Sequence, residues 1–160
     1  MSNIFVRPKK DGRFRMILNL QGLNDKIVYH HFKMTTLQSA IKLITPNCFM
    51  ATIDWKDAYY CVPISDLHKK YLRFHFDGVL YEFQALPNGL ASGPRIFTKI
   101  TKPIFSTLRK RGHTNSPYID DVLLFGDSIV DCQNNIKETI EVSTRAGFIG
   151  HPDKLVLIPS

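Results

Sequence analysis

The sequence predicts an α+β fold with a split βαβ, ferredoxin-like core, and three observations lead there. Setting aside the stretch between Asp54 and Leu86, the predicted elements run strand, helix, strand, strand, helix, strand. The two middle strands meet at Tyr118-Ile119-Asp120-Asp121, where adjacent acids between strand-forming runs read as the tight turn of a hairpin. A further acid, Asp54, ends the apolar run Ala51-Thr52-Ile53, and the topology lays the hairpin beside that strand. In such a sheet Asp54 faces Asp120 across a small gap, with Asp121 adjacent. Oxygen donors around a small gap suit a hard divalent cation such as Mg²⁺. Taken without Asp54, the Asp120-Asp121 pair reads equally well as a plain solvated turn.

The elements follow in order. Ile4 to Arg7 and Arg13 to Leu18 are short strands joined by Pro8-Lys9-Lys10-Asp11-Gly12, a turn with an Asp-Gly step. Alternation places Arg13, Arg15 and Ile17 on one face. This basic hairpin reads either as a phosphate-binding flap or as an edge kept soluble by its lysines. Thr36 is a candidate N-cap for a helix through Ile44, with Leu37, Ile41 and Ile44 along one stripe and Pro46-Asn47 at its end. Phe49 to Ile53 is the strand that delivers Asp54. Leu67 to Lys70 predicts a helical turn, and Tyr71–Phe76 with Val79–Phe83 flank Asp77-Gly78 as a second hairpin. Leu86 to Pro94 is irregular and leads into a helix near Pro94, which Pro103 should kink or divide before Lys110. Ser116–Ile119 and Val122–Phe125 form the acidic hairpin. Asp127 or Ser128 then caps a helix carrying Ile129, Cys132, Ile136 and Ile140, Gly147 ends it, and Leu155–Ile158 is a last strand.

Composition narrows the class of function. The 160 residues are 44% hydrophobic with a formal net charge of +7, enough for one ordinary core. Residues 1–40 hold seven Lys/Arg against two acids, and Lys99 to Arg111 add five more with none. Such a surplus suits a phosphate backbone, or serves solubility alone. Cys48, Cys61 and Cys132 have neither CxxC spacing nor an even count, so they read as reduced thiols of an intracellular protein. The scattered histidines have no zinc-site spacing. No apolar run reaches transmembrane length, and the N-terminus lacks a signal-peptide pattern.

An ordered set of motifs resembles the fingers and palm of a reverse transcriptase. The set is Lys9-Lys10-Asp11-Gly12-Arg13-Phe14-Arg15, Leu23-Asn24, Ile53-Asp54-Trp55-Lys56-Asp57-Ala58-Tyr59, Leu86-Pro87-Asn88-Gly89, Ser92-Gly93-Pro94 with Phe97, Tyr118-Ile119-Asp120-Asp121, and Gly147-Phe148 with His151-Pro152-Asp153-Lys154. It covers nearly the whole chain, and it is most similar to long-terminal-repeat (gypsy-like) and DIRS-like tyrosine-recombinase retrotransposons. The resemblance implies a polymerase palm with a partial fingers subdomain: 1–47 partial fingers, 48–62 palm with the first catalytic strand, 63–85 a fingers insertion, and 86–160 palm. Thumb, connection and RNase H motifs do not occur.

The implied chemistry is RNA-directed DNA polymerisation, in which two Mg²⁺ ions, replaceable by Mn²⁺, assist attack of a primer 3′-hydroxyl on a deoxynucleoside triphosphate. By resemblance Asp54, Asp120 and Asp121 hold the metals, with the backbone carbonyl of Trp55 as a further ligand. Lys9 or Lys10 meets the γ-phosphate and Arg15 the α-phosphate. Backbone N–H groups of Asp57 and Ala58 form an anion nest. Tyr59 is either the steric gate under the sugar or a half-buried core aromatic. Asn88 stands where retroviral enzymes usually carry glutamine, so its reach toward sugar or base differs. Gly89, Gly93, Pro94 and Tyr118 fall along template and primer. Lys154 either protonates departing pyrophosphate or is a solvent-facing lysine.

Expected partners are an RNA or DNA template with primer, deoxynucleoside triphosphates, and the thumb, RNase H and recombinase or integrase domains of a parent polyprotein. The expected location is intracellular, in cytoplasm, retroelement particles or nucleus, with no membrane. Two other readings stay open: a nucleic-acid-binding fragment that does no chemistry, and another two-metal reaction such as nucleotide cyclisation or nuclease cleavage. The fingers hairpin and Leu86-Pro87-Asn88-Gly89 disfavour the last, because neither reaction needs a template.

Overall fold

A computed structural model describes residues 3–8, 12, 14–151, 154 and 156, with the side chain of Arg15 outside the described set. The described strands are β1 (Ile4–Pro8), β2 (Phe14–Leu18), β3 (Phe49–Asp54), β4 (Arg73–Phe76), β5 (Val79–Glu82), β6 (Thr114–Tyr118) and β7 (Asp121–Gly126). The helices are α1 (Gln21–Asn24), α2 (Leu37–Ile41), α3 (Asp66–Lys69), α4 (Gly93–Lys110) and α5 (Ile129–Arg145). The result is a mixed α+β fold, as the element order predicts. The chain forms two compact units, Met1–His31 with Tyr59–Ile96, and Phe32–Ala58 with Phe97–Ser160. Residues 32–47 therefore cluster with the acid-bearing sheet, and 86–96 with the two hairpins.

The first unit holds the antiparallel pairs β1–β2 and β4–β5. Asp77 and Gly78 both take positive φ between β4 and β5, as a two-residue hairpin turn requires. Phe74, 6% exposed, stacks on Tyr81 at 5.5 Å and meets Phe83 at 5.8 Å, which gives this unit a small aromatic core.

In the second unit the strand order is β3-β7-β6, all antiparallel. The hairpin thus lies beside the strand that ends in Asp54, as the split βαβ pattern requires. Pro117 is accommodated because β6 is an outer strand of this sheet, where a missing N–H leaves no ladder partner wanting. Of the predicted last strand, Leu155, Leu157 and Ile158 lie outside the described residues. Val156 bridges antiparallel to Thr52 and donates its N–H to that residue's carbonyl at 3.0 Å.

Both long helices end in the same way. Gly147 (φ 87°) lets Phe148 N–H reach Ser143 C=O at 2.9 Å, and Gly112 (φ 91°) lets His113 N–H reach Leu108 C=O at 3.1 Å. These are Schellman closures, and a left-handed glycine makes them cheap. The first one turns Phe148 onto the indole of Trp55, with ring centroids 4.6 Å apart. Phe105 stacks on the same indole at 5.5 Å, and Phe97 meets it edge-on at 6.2 Å. Ser128 rather than Asp127 caps α5: its hydroxyl accepts from Asp131 N–H at 3.1 Å and donates to that carboxylate at 2.6 Å.

Two expectations are corrected. α4 runs unbroken through Pro103. Lys99, whose carbonyl loses its helical partner there, and Pro103 are both exposed, so water can serve that carbonyl. α2 begins at the expected Thr36 cap, with a reciprocal Thr36–Ser39 capping box, but ends at Ile41 instead of Ile44. Leu37 and Ile41 on it, and Ile44 beyond its end, are exposed, and Ala40 is the residue that it buries.

Trp55 is 1% exposed at the centre of this aromatic cluster. Trp55→Ala should cost about 3–5 kcal/mol of unfolding free energy by urea titration; a loss under about 1 kcal/mol would mean that the cluster does not hold the unit.

Candidate active site

The β3–β7 register sets Asp54 opposite Asp121, while Tyr118 also pairs with Asp121 and leaves Ile119-Asp120 as the turn. The expectation that Asp54 faces Asp120 is therefore corrected by one position, because Asp120 belongs to the turn instead of the ladder. Ile119 has φ 55°, a left-handed conformation that a β-branched residue enters only under strain of about 1–3 kcal/mol. What anchors this turn is backbone: Trp55 N–H donates to Asp120 C=O at 2.9 Å. Asp54 is fixed in turn by His151 N–H, which donates to its carbonyl at 2.6 Å.

Charge is concentrated here. Burial, followed by the nearby carboxylates of Asp120 and Asp54, pushes the Asp121 carboxyl above its usual range, and Lys154 opposes the shift. Lys154 Nζ lies 2.8 Å from Asp54 Oδ2, and this hydrogen bond holds the ammonium above its usual range. An ammonium drawn onto one acid, and a neighbouring acid that resists ionisation, mark an excess of negative charge that fits a hard cation. Asp54 and Asp121, register partners, with Asp120 in the adjoining turn, are the carboxylates that could hold one. No group of three His, Cys, Asp or Glu among the described residues forms a metal-binding cluster. A groove of about 680 Å³ shares Asp54, Asp121 and Lys154, and Leu37, Ala40 and Leu123 give it an apolar lining.

Asp57 takes φ 49°, the left-handed curvature that a nest of successive N–H groups uses, and Ala58 beside it is buried. Within the first unit, Tyr59 is half-buried and its ring lies where a Cβ on Gly93 would meet it at 3.5 Å. A Cβ there would be in ordinary van der Waals contact with the ring, so Tyr59 packs beside Gly93 without requiring glycine. Pro94 sits in the first turn of α4, where its missing N–H has no helical partner to lose. Asn88 is exposed, and its amide donates to Tyr60 Oη at a long 3.4 Å. Gly89 has φ 91° and needs to be glycine for that reason. Tyr118 is 54% exposed at the mouth of the acidic turn. Lys9, Lys10 and the side chain of Arg15 lie outside the described residues; the Arg15 backbone pairs with Arg7.

Sequence reasoning missed two roles. Asn24 donates its Nδ2 to Gly89 C=O at 2.9 Å and accepts from Ala91 N–H at 2.8 Å, so one side chain pins the Leu86–Pro94 segment at two points. Its only sequence signal is an amide next to Leu23 ahead of a polar turn. The indole of Trp55, flagged only for its carbonyl, is the centre of the core.

The family described as "Reverse transcriptase (RNA-dependent DNA polymerase)" matches residues 7–159. The chain belongs to the reverse transcriptase family. A Gag-Pro-Pol polyprotein of Simian retrovirus SRV-2 is 25% identical over 166 residues, covering 96% of this chain and 9% of the polyprotein. The Transposon Tf2-3 polyprotein of Schizosaccharomyces pombe is 24% identical over 144 residues, 89% of this chain and 10% of its own length. The foamy viral protease-reverse transcriptase dRH in complex with double-stranded DNA superposes with a TM-score of 0.86 at 21% identity, over 98% of this chain and 27% of that one. This reverse transcriptase segment thus spans a tenth or less of these polyproteins. Among its described residues no helix is long and apolar enough to cross a membrane.

Two outcomes test the geometry. Asn24→Ala should lose two hydrogen bonds and lower stability by about 1–3 kcal/mol in denaturant unfolding, with faster amide exchange at Ala91. Asp121 binds its proton more tightly in the folded chain than in the unfolded one. Its contribution to stability is therefore full below the usual carboxylate range and lost as pH rises through the raised value. At neutral pH without divalent cations, Asp121→Asn should melt above the parent, and the gap should close as the pH falls into the acid range. A parent that melts higher at neutral pH contradicts this.

Proposed function

We propose that this chain is the nucleic-acid-binding and nucleotide-positioning segment of a retroelement polyprotein, and that alone it is catalytically incomplete. The activity to which it contributes, once completed by the rest of the polyprotein, is RNA-directed DNA polymerisation by nucleotidyl transfer. The observation that carries this reading is a paired acidic site: Asp54 opposite Asp121 at the end of the β3–β7 ladder, with Lys154 on Asp54 and no third acid closing a cluster among the described residues. Polyprotein relatives from a retrovirus and a transposon support the setting. A DIRS-like parent is the finer form of the proposal, and recombinase or integrase, RNase H and thumb domains are the proposed partners.

In the completed enzyme Asp54 and Asp121, aided by Asp120 and the Trp55 carbonyl, would hold Mg²⁺ or Mn²⁺. The cation supplies charge neutralisation at the phosphates and a lowered pKa for the attacking hydroxyl. The chain's own residues bind and orient. Arg15 and Lys9 or Lys10 are the proposed phosphate contacts, the Asp57–Ala58 backbone a nest for the outer phosphates, and Tyr59 a ring beneath the sugar. Asn88 is proposed to reach the sugar or base of the incoming nucleotide, and Gly89, Gly93, Pro94 and Tyr118 line the proposed path of template and primer. Lys154, released from Asp54, can carry a proton to the leaving pyrophosphate.

The exposed cations of α4, Lys99, Lys102, Arg109 and Lys110, support backbone binding of a duplex. The chain should bind a primer–template with little sequence preference. With about five phosphates neutralised, log K should fall against log salt with a slope near −4 to −5, read by fluorescence anisotropy. It should add no nucleotide by itself. A flat salt dependence removes the binding claim. Primer extension by the chain alone, lost in Asp54→Asn, overturns the claim of incompleteness.

A further inference from the structure

Asn135 lies on α5 with 0% exposure, a fully polar side chain in the middle of a core. Its Nδ2 donates twice, to Thr114 C=O at 2.8 Å and to Phe125 C=O at 2.9 Å. Thr114 and Phe125 are register partners, the last pair of the β6–β7 ladder at the end away from the Asp120 turn. Its Oδ1 accepts from the hydroxyl of Thr139, also 0% exposed, at 3.2 Å. The two carbonyls can only accept, so they fix which side of the amide is nitrogen, and the Thr139 hydroxyl holds the oxygen side. The next residue of β7, Gly126, admits the helix: a Cβ there would stand 2.3 Å from Cys132 N and 2.7 Å from Cys132 Cα. The first turn of α5 is therefore pressed onto the base of the hairpin.

An apolar side chain of equal size could fill the same space, and the strand carbonyls already have a ladder to belong to. Packing alone does not call for an amide there. What the amide adds is a fixed span, because one nitrogen with two hydrogens reaches one carbonyl on each strand.

We infer that Asn135, oriented by Thr139, is a positioning residue that sets the spacing and tilt of the β6–β7 hairpin and so the placing of Asp120 and Asp121 against Asp54. The inference rests on the nucleotidyl-transfer reading for its purpose, though not for its geometry. The hairpin is held at both ends, by Asn135 at the base and by the Trp55 N–H on Asp120 C=O at the turn. Phe125 and Asp121 are about 13 Å apart along a strand rising about 3.3 Å per residue. A stiff strand therefore carries a tilt at one end to the carboxylate at the other.

The test compares Asn135→Leu, Thr139→Val and Thr139→Ser with Ile104→Ala, a buried truncation on α4 that serves as the control for general loss of stability. Amide exchange by NMR needs no metal. Asn135→Leu should speed exchange at Asp121 and Val122 by about tenfold more than the control does. Calorimetry should show Mn²⁺ binding weakened in the same variant and unchanged in the control. Thr139→Val should move both readouts the same way and Thr139→Ser should restore them; if Asn135→Leu does not fold, this pair decides. Tip exchange equal to that of Ile104→Ala, or Thr139→Ser behaving as Thr139→Val, overturns the inference. A parent chain that binds no Mn²⁺ counts against the nucleotidyl-transfer reading, and amide exchange then decides the role of Asn135 by itself.

Discussion

Trp55 joins the acidic turn to the hydrophobic core through a single residue. Its N–H holds the carbonyl of Asp120, while its ring sits among Phe97, Phe105 and Phe148. The preceding residue is Asp54, so the strand that presents one acid also anchors the turn that presents the others. Displacing the indole would shift both sides of the site together. The aromatic cluster is as much a condition of the site's geometry as of stability, and this explains why so large a side chain follows an acid at a strand end. Burying such a ring is worth a few kcal/mol at the usual yield per apolar area, enough to oppose the costs gathered at the turn.

Those costs are identifiable. A left-handed Ile119 stores backbone strain, and burial together with the carboxylates of Asp120 and Asp54 makes ionising Asp121 costly. Lys154 relieves part of the second cost by pairing with Asp54. Its side chain is more than half exposed, so this relief is modest and is screened by salt. The site is thus held under tension by a core that does not share its chemistry, the arrangement expected where side chains are set up for a ligand that brings opposite charge.

Much of this was legible in the sequence because the signals were local. The acidic turn, the Asp-Gly hairpin, the Thr36 cap and the glycine stop at 147 each follow from one or two residues of strong preference. The strand order followed from element order alone. The register did not, since a slip of one residue decides whether Asp120 or Asp121 faces Asp54, and alternation cannot distinguish two adjacent identical acids. Pro103 does not divide α4, because it removes a single ladder bond from a long helix and leaves the Lys99 carbonyl at an exposed position open to solvent. The stripe expected along α2 is cut short, because the helix ends at Ile41 before Ile44, and periodicity does not say what covers Leu37 and Ile41. Asn24 and Asn135 were invisible as anchors, because a sequence shows an amide and not the two backbone groups it will reach.

The two asparagines do comparable work by comparable means. Each uses one planar side chain to fix a pair of backbone groups, Asn24 across the Gly89–Ala91 turn and Asn135 across the base of the acidic hairpin. An irregular segment cannot satisfy its own backbone, and a two-stranded hairpin is marginal without support on a face. Apolar packing would hold either one against its neighbour but leave it free to slide, since dispersion contacts are nearly isotropic. Directional bonds at two points remove that freedom. The segments carrying the candidate template and metal residues each receive a pair of such bonds from one amide, whereas β4–β5, which carries none of them, is joined by the Arg73–Glu82 ion pair at 2.7 Å and by ring stacking.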